Sequence, residues 1–203
     1  MLKKYIKRHW ATYIAIILVP IIFWCAVYSV LDDPKDNEKF AILFVGTGLD
    51  SEALQEHIIT NLWDSRIKSI EVESITLEGS LYYDYLKSKC YAYDLVIFSE
   101  SYIQPHVGRV VFEREIMLSQ CSNVLPESEY YYENIDGVDI PFGFILDDGD
   151  MKNLFTKYYS GDEKCYLFLS PQSVNLDTIN GKGAKGDDFA LKVLNALFQN
   201  ENI

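Results

Sequence analysis

The sequence predicts an α/β protein: an N-terminal transmembrane helix, then a mixed, mainly parallel sheet flanked by helices. Three observations predict it. An uncharged run, ATYIAIILVPIIFWCAVYSVL, extends from Ala11 to Leu31. Two continuous apolar segments, FAILFV at 40–45 and DLVIF at 94–98, have the composition of buried parallel strands. Between and after them lie segments with helical spacing of apolar residues.

The first element is the anchor. As a helix the 11–31 run is roughly 31 Å long, which matches the ~30 Å hydrocarbon core of a bilayer. Lys3, Lys4, Lys7 and Arg8 precede it, and Asp32, Asp33, Asp36 and Glu38 follow, mixed with Lys35 and Lys39. The positive-inside rule then places residues 1–10 in the cytoplasm as a short tail and everything after Leu31 outside. Trp10, Tyr13, Trp24 and Tyr28 lie near the two ends, where amphipathic rings favour the headgroup region. A cleaved signal peptide is the rival reading. It calls for a shorter apolar stretch, about 7–15 residues, and small residues at the cleavage point. Val27-Tyr28-Ser29 matches that poorly, and Phe23-Trp24 before Cys25 argues against lipidation. Pro20 is tolerable inside a membrane helix, where neighbouring groups satisfy the freed carbonyl. The predicted location is therefore the cell membrane, with a single pass.

Residues 32–39 read as a polar linker, and 40–203 as one domain large enough for its own core. Its first half alternates strand and helix. The strand at 40–45 is broken by Gly46-Thr47-Gly48. A helix capped by Asp50 or Ser51 runs to about Asp64, with Leu54, Ile58, Ile59 and Leu62 on one face. A second strand covers 67–76, a second helix 81–89, and the third strand 94–98. This β-α-β-α-β order gives a parallel start with right-handed crossovers. In the second half, 110–119 reads as a helix. Segments 129–133 and 138–146 read as strands of a hairpin around Asp136-Gly137. Helix 152–159, strand 166–169 and an amphipathic helix at 188–199 complete the pattern.

Charge narrows the partners. The part after Leu31 holds all 30 acidic residues and 14 basic ones, a net charge of −16. Such a surface repels nucleic acid and anionic headgroups, so neither is an expected ligand. Cys90, Cys121 and Cys165 lack CxxC spacing and imply neither a zinc site nor a disulfide framework. Burial as small hydrophobic residues is their default.

Ligands of open α/β sheets bind beyond the carboxyl ends of strands. The exits of the first and third strands, Gly46-Thr47-Gly48 and Ser99-Glu100-Ser101, therefore form the predicted site, with Thr47, Gly48, Ser99, Glu100 and Ser101 lining one crevice. Hydroxyls, loop amides and the Glu100 carboxylate suit a small polar solute or a partner loop. The segment 46–51 nearly matches the dinucleotide fingerprint GxGxxG, but Ser51 replaces the third glycine. A tight β-to-α turn is the simpler reading. Asp148 and Asp150 frame an acidic turn without the further oxygens of a calcium loop. Gly181–Gly186 does not meet the phosphate-loop order, because Asp187 follows where Lys-Ser/Thr is needed. His57 and His106 have no local nucleophile, and the tyrosines at 82, 83, 85, 91, 93 and 130–132 read as packing. Neither a catalytic constellation nor a metal or cofactor site is predicted.

The order FAILFVGTGLDSEAL, DLVIFSESYI, VDIPFGFIL and CYLFLSPQSVNLD, spanning about 40–177, resembles a small version of the type II extracellular solute-binding proteins. The resemblance implies an apolar first strand emptying into a Gly/Thr loop, and polar ligand contacts at the tip of DLVIFSES. It also implies transporter subunits as partners. The domain is shorter than the two-lobed members and is helix-anchored, which favours an accessory role beside an ABC-type transporter over solute capture alone. The rival functional class is a small type II membrane enzyme resembling glycosyltransferases, with Asp148 and Asp150 holding a metal. A third is a ligand-free assembly subunit.

Overall fold

The computed structural model describes residues 2–31, 34–62, 64–76, 89–90, 92–103, 130–147, 153–170, 173–176 and 189–199. They form two units, 1–35 and 36–203. The first unit is one helix, α1 (Leu2–Leu31), with Pro20 inside it. Its apolar side chains are not packed away: Ile16, Val19 and Ile22 are 64%, 63% and 63% exposed. Among the described residues no helix is long and apolar enough to cross a membrane by the measure of an 18-residue apolar window.

The second unit is built on a six-stranded sheet. Its strands are β1 (Lys39–Val45), β2 (Ser69–Ile75), β3 (Leu95–Ser99), β4 (Tyr130–Ile135), β5 (Val138–Asp147) and β6 (Cys165–Leu169), in the order β2-β1-β3-β6-β5-β4. The helices are α2 (Ser51–Asn61), α3 (Leu154–Tyr158) and α4 (Phe189–Phe198). The β1-α2-β2 unit and the return of β3 to the other side of β1 are parallel, as the buried runs predicted.

The expected dominance of parallel pairing does not hold. Three of the five pairings are antiparallel: β3 with β6, β6 with β5, and β5 with β4. For the β4–β5 pair the physical reason is connection length. Parallel neighbours need a long crossover, whereas β4 and β5 are joined by two residues, Asp136 and Gly137. Their φ angles of 53° and 85° are the positive pair that a tight hairpin turn requires. The sheet is mixed and flanked by helices, as expected. The helices proposed at 81–89 and 110–119 lie outside the described residues, apart from Lys89 and Cys90.

Strand alternation divides the core. Phe40, Ile42 and Phe44 of β1 face a cluster containing Leu54 and Ile58 of α2, Phe155 of α3, and Val193, Leu194 and Leu197 of α4. Leu43 and Val45 face the other way, with Val96, Phe98, Phe142, Phe168 and Cys90. The central strand β3 is buried throughout, because it is covered on both faces. Asp50 caps α2 by accepting from Ala53 N at 3.0 Å, and Asn153 with Thr156 forms a capping box on α3.

Leu167 of β6 is fully buried in the helix-side cluster. Leu167→Ala is expected to lower unfolding free energy by about 2–5 kcal/mol, read from urea unfolding followed by circular dichroism.

Candidate functional site

The predicted residues do come together at one end of the sheet. β1 and β3 are adjacent and parallel, with Val45 opposite Phe98, so Gly46 and Ser99 emerge side by side. The ideal Cβ position of Gly46 lies 2.6 Å from Ser99 Oγ, which puts the two tips in contact. Thr47, Gly48, Glu100 and Ser101 are exposed, whereas Ser99 is 2% exposed.

The tips do not border an open crevice, because the segment linking α3 to β6 lies against them. Ser160 N and Oγ both donate to Gly48 O, at 2.9 and 3.0 Å, and Asp50 N donates to Tyr158 O at 2.9 Å. Leu49 and Tyr159 form an isolated antiparallel bridge. On the β3 side, Ser101 N and Oγ donate to Glu163 Oε2 at 3.2 and 2.8 Å, and Glu100 N donates to Lys164 O at 2.8 Å. Those two bonds from Ser101 hold the Glu163 carboxyl below its ordinary range. The buried Ser99 hydroxyl makes no full hydrogen bond, but it lies near enough to Glu163 to add a little to that lowering. Gly48 lines a shallow groove of about 440 Å³ with Asp50, Lys157, Tyr158 and Ser160; the β3 residues do not line it.

Other candidates can be placed. His57 Nδ1 is 2.9 Å from Tyr158 OH, which makes it a tie between α2 and α3. Cys90 and Cys165 are buried, and burial pushes each thiol up to about 12. They are inert hydrophobic residues at neutral pH. Among the described residues no group of three or more His, Cys, Asp or Glu is placed to hold a metal. His106, Cys121, Asp148, Asp150 and the glycines at 181–186 lie outside the described residues.

A second polar centre, at the opposite end of the same two strands, escaped the sequence reading. Asp94 is 7% exposed. Its Oδ2 accepts from Ala41 N at 2.8 Å; its Oδ1 accepts from Asn175 Nδ2 at 3.0 Å and from the Ser173 hydroxyl. Its backbone N donates to Ala41 O and its backbone O accepts from Ser170 N. Asn175 Nδ2 also donates to Lys39 O at 2.8 Å. Burial raises the Asp94 carboxyl above its ordinary range, against the opposing pull of its Ser173, Ala41 and Asn175 bonds. The available signal was an aspartate directly before an all-apolar strand, DLVIF, with Ser-x-Asn after a later strand, LSPQSVN. Nothing local pairs those segments, which are 79 residues apart.

The chain matches no family model, no curated protein and no solved structure.

Two measurements test this geometry. Gly48 has φ +97° and an added Cβ would stand 2.8 Å from Gly161 N, whereas Gly137 has φ +85° and nothing within 4 Å. Gly48→Ala is expected to cost about 2–4 kcal/mol and Gly137→Ala about 1 kcal/mol, by urea unfolding. The second concerns pH. Because folding raises the Asp94 pKa, the folded state holds its proton to higher pH than the unfolded chain does. Its contribution to stability is full below the unfolded value and is lost as pH rises through the folded value. Asp94→Asn cannot titrate, and its amide nitrogen faces a donor where the carboxylate accepted. The stability gap between parent and Asp94→Asn should therefore narrow as pH rises through the folded value. A gap independent of pH would contradict the raised carboxyl.

Proposed function

We propose that the chain is a single-pass membrane protein whose α/β domain works outside the cell as a non-enzymatic accessory or solute-binding-like subunit. In this reading it belongs beside a membrane transporter. The observation that carries the reading is α1. Its side chains from Thr12 to Tyr28 include no charge, and large ones such as Ile16, Ile22 and Phe23 are 64%, 63% and 61% exposed. An apolar surface of this kind calls for a covering, and a bilayer supplies it. The basic residues before it and the acidic ones after it give the orientation.

Several features support binding or assembly over catalysis. The described exported thiols are buried and protonated. The sheet-tip amides and hydroxyls are largely engaged by the chain's own 158–164 segment. Thr47, Gly48, Glu100 and Ser101 remain at the surface as the proposed contact residues for a partner loop, with Ser99 buried beneath them. A solute would have to displace Glu163 to reach Ser99, so a partner protein is the better-fitting occupant.

Topology tests the reading directly. A cysteine placed at Asn37 should react with a membrane-impermeant maleimide on intact cells, above the level of the parent chain. One placed at Lys4 should react only after permeabilisation. The reverse pattern, or quantitative release of the domain into the medium, would overturn the proposal.

A further inference from the structure

The Asp94 centre is more than a tie between strands, because it opens onto a cavity. Asp94, Asp36, Lys39, Ala92, Tyr93 and Ser173 line a space of about 400 Å³ at the amino ends of β1 and β3. That volume falls within the range of about 300–1,000 Å³ typical of small-molecule sites. It lies at the opposite end of the sheet from the residues assigned to partner contact.

The charge balance of the cavity wall is the informative point. Asp94 is more than nine-tenths buried, and every donor it accepts from is neutral: Ala41 N, the Ser173 hydroxyl and Asn175 Nδ2. No ion pair reaches it among the described residues. Neutral donors satisfy lone pairs but bring no countercharge, and a buried carboxylate is costly without one. A carboxylate offers about four acceptor positions, and three are used here. Asp36 adds a second carboxylate to the wall. An anion is thereby disfavoured. Among the described residues no group of three metal-binding side chains adjoins the cavity. What fits is a compact organic cation with directed N–H donors.

We propose that this cavity binds a small primary amine, whose ammonium group occupies the remaining acceptor position of Asp94 and supplies the missing positive charge. The alkyl part of the ligand lies toward Ala92 and Tyr93.

The full-length chain in detergent micelles tests this by thermal unfolding against propylamine hydrochloride, with sodium chloride holding the ionic strength constant. 1-Propanol serves as the uncharged counterpart. The expected result is a saturable rise in Tm of roughly 2–4 °C once propylamine is about fivefold above half-saturation, and none with 1-propanol. Asp94→Asn should lose the rise. Because that variant also disturbs the strand tie, Ala92→Trp provides an independent check. Ala92 is exposed on the cavity wall, so the indole should fill the space and abolish the rise while the ligand-free transition stays that of the parent. No saturable rise in the parent, an equal rise with 1-propanol, or a rise that survives in either variant would overturn the proposal.

Discussion

One buried carboxylate joins the segments that would otherwise be held only by their ladders. Through its backbone and side chain together, Asp94 grips Ala41 on both its N–H and its C=O, which locks the start of β1 to the start of β3. The same side chain accepts from Ser173 and Asn175, so the chain leaving β6 is folded back over that junction. Asn175 in turn donates to Lys39 O, and its own carbonyl accepts from Ala190 N at the start of α4. A short polar network thus links β1, β3, the β6 exit and the last helix. An aliphatic residue at 94 would leave three buried donors unsatisfied, which is the costly side of hydrogen-bond energetics. The carboxylate is itself expensive to bury, so the position combines structural necessity with electrostatic tension.

The other end of the sheet is managed differently. Parallel strands deliver their polar tips to one edge, where open α/β sheets usually receive a ligand. Here the chain supplies its own occupant. Ser160, Glu163 and Lys164 take up Gly48 O, the Ser101 donors and Glu100 N, and Gly161 packs against Gly48 at a distance that leaves no room for a side chain. This self-closure depends on β6 running antiparallel to β3: that orientation starts β6 beside the end of β3, with Cys165 opposite Ser99. A parallel β6 would have put its amino-terminal loop at the far end, and the tips would have stayed open. The antiparallel half of the sheet therefore decides that this end is closed by the chain itself.

The physical roles of the two units are also separate. The second unit buries its apolar residues in two clusters, one on each face of the sheet, and its sequence carries the acidic excess. Helix α1 keeps its apolar side chains outward. The sheet, by contrast, is tied by polar networks at both ends.

The sequence by itself determined the elements whose signal is local. The apolar runs 40–45 and 94–98, the Asp50 cap, the Asp136-Gly137 turn and the periodic helix at 188–199 each follow from spacing or turn chemistry within a few residues, and each is present with small shifts at its ends. The uncharged run became a helix for the same reason. The neighbourhood of the β1 and β3 tips was also legible, because two buried strands around a crossover helix lie side by side. Tertiary structure alone decided the rest. Strand direction at β6 depends on which partners it meets, and alternation along a strand reads the same in either direction. The cover over Gly48 and Ser101 comes from residues 112 and 62 positions away in the chain, Ser160 and Glu163. Asp94 looked like a polar residue at a strand boundary. Only the return of Ser173 and Asn175 to its side, across 79 and 81 residues, made it the centre of the fold, because hydrogen-bond partners at that separation leave no periodicity in a sequence.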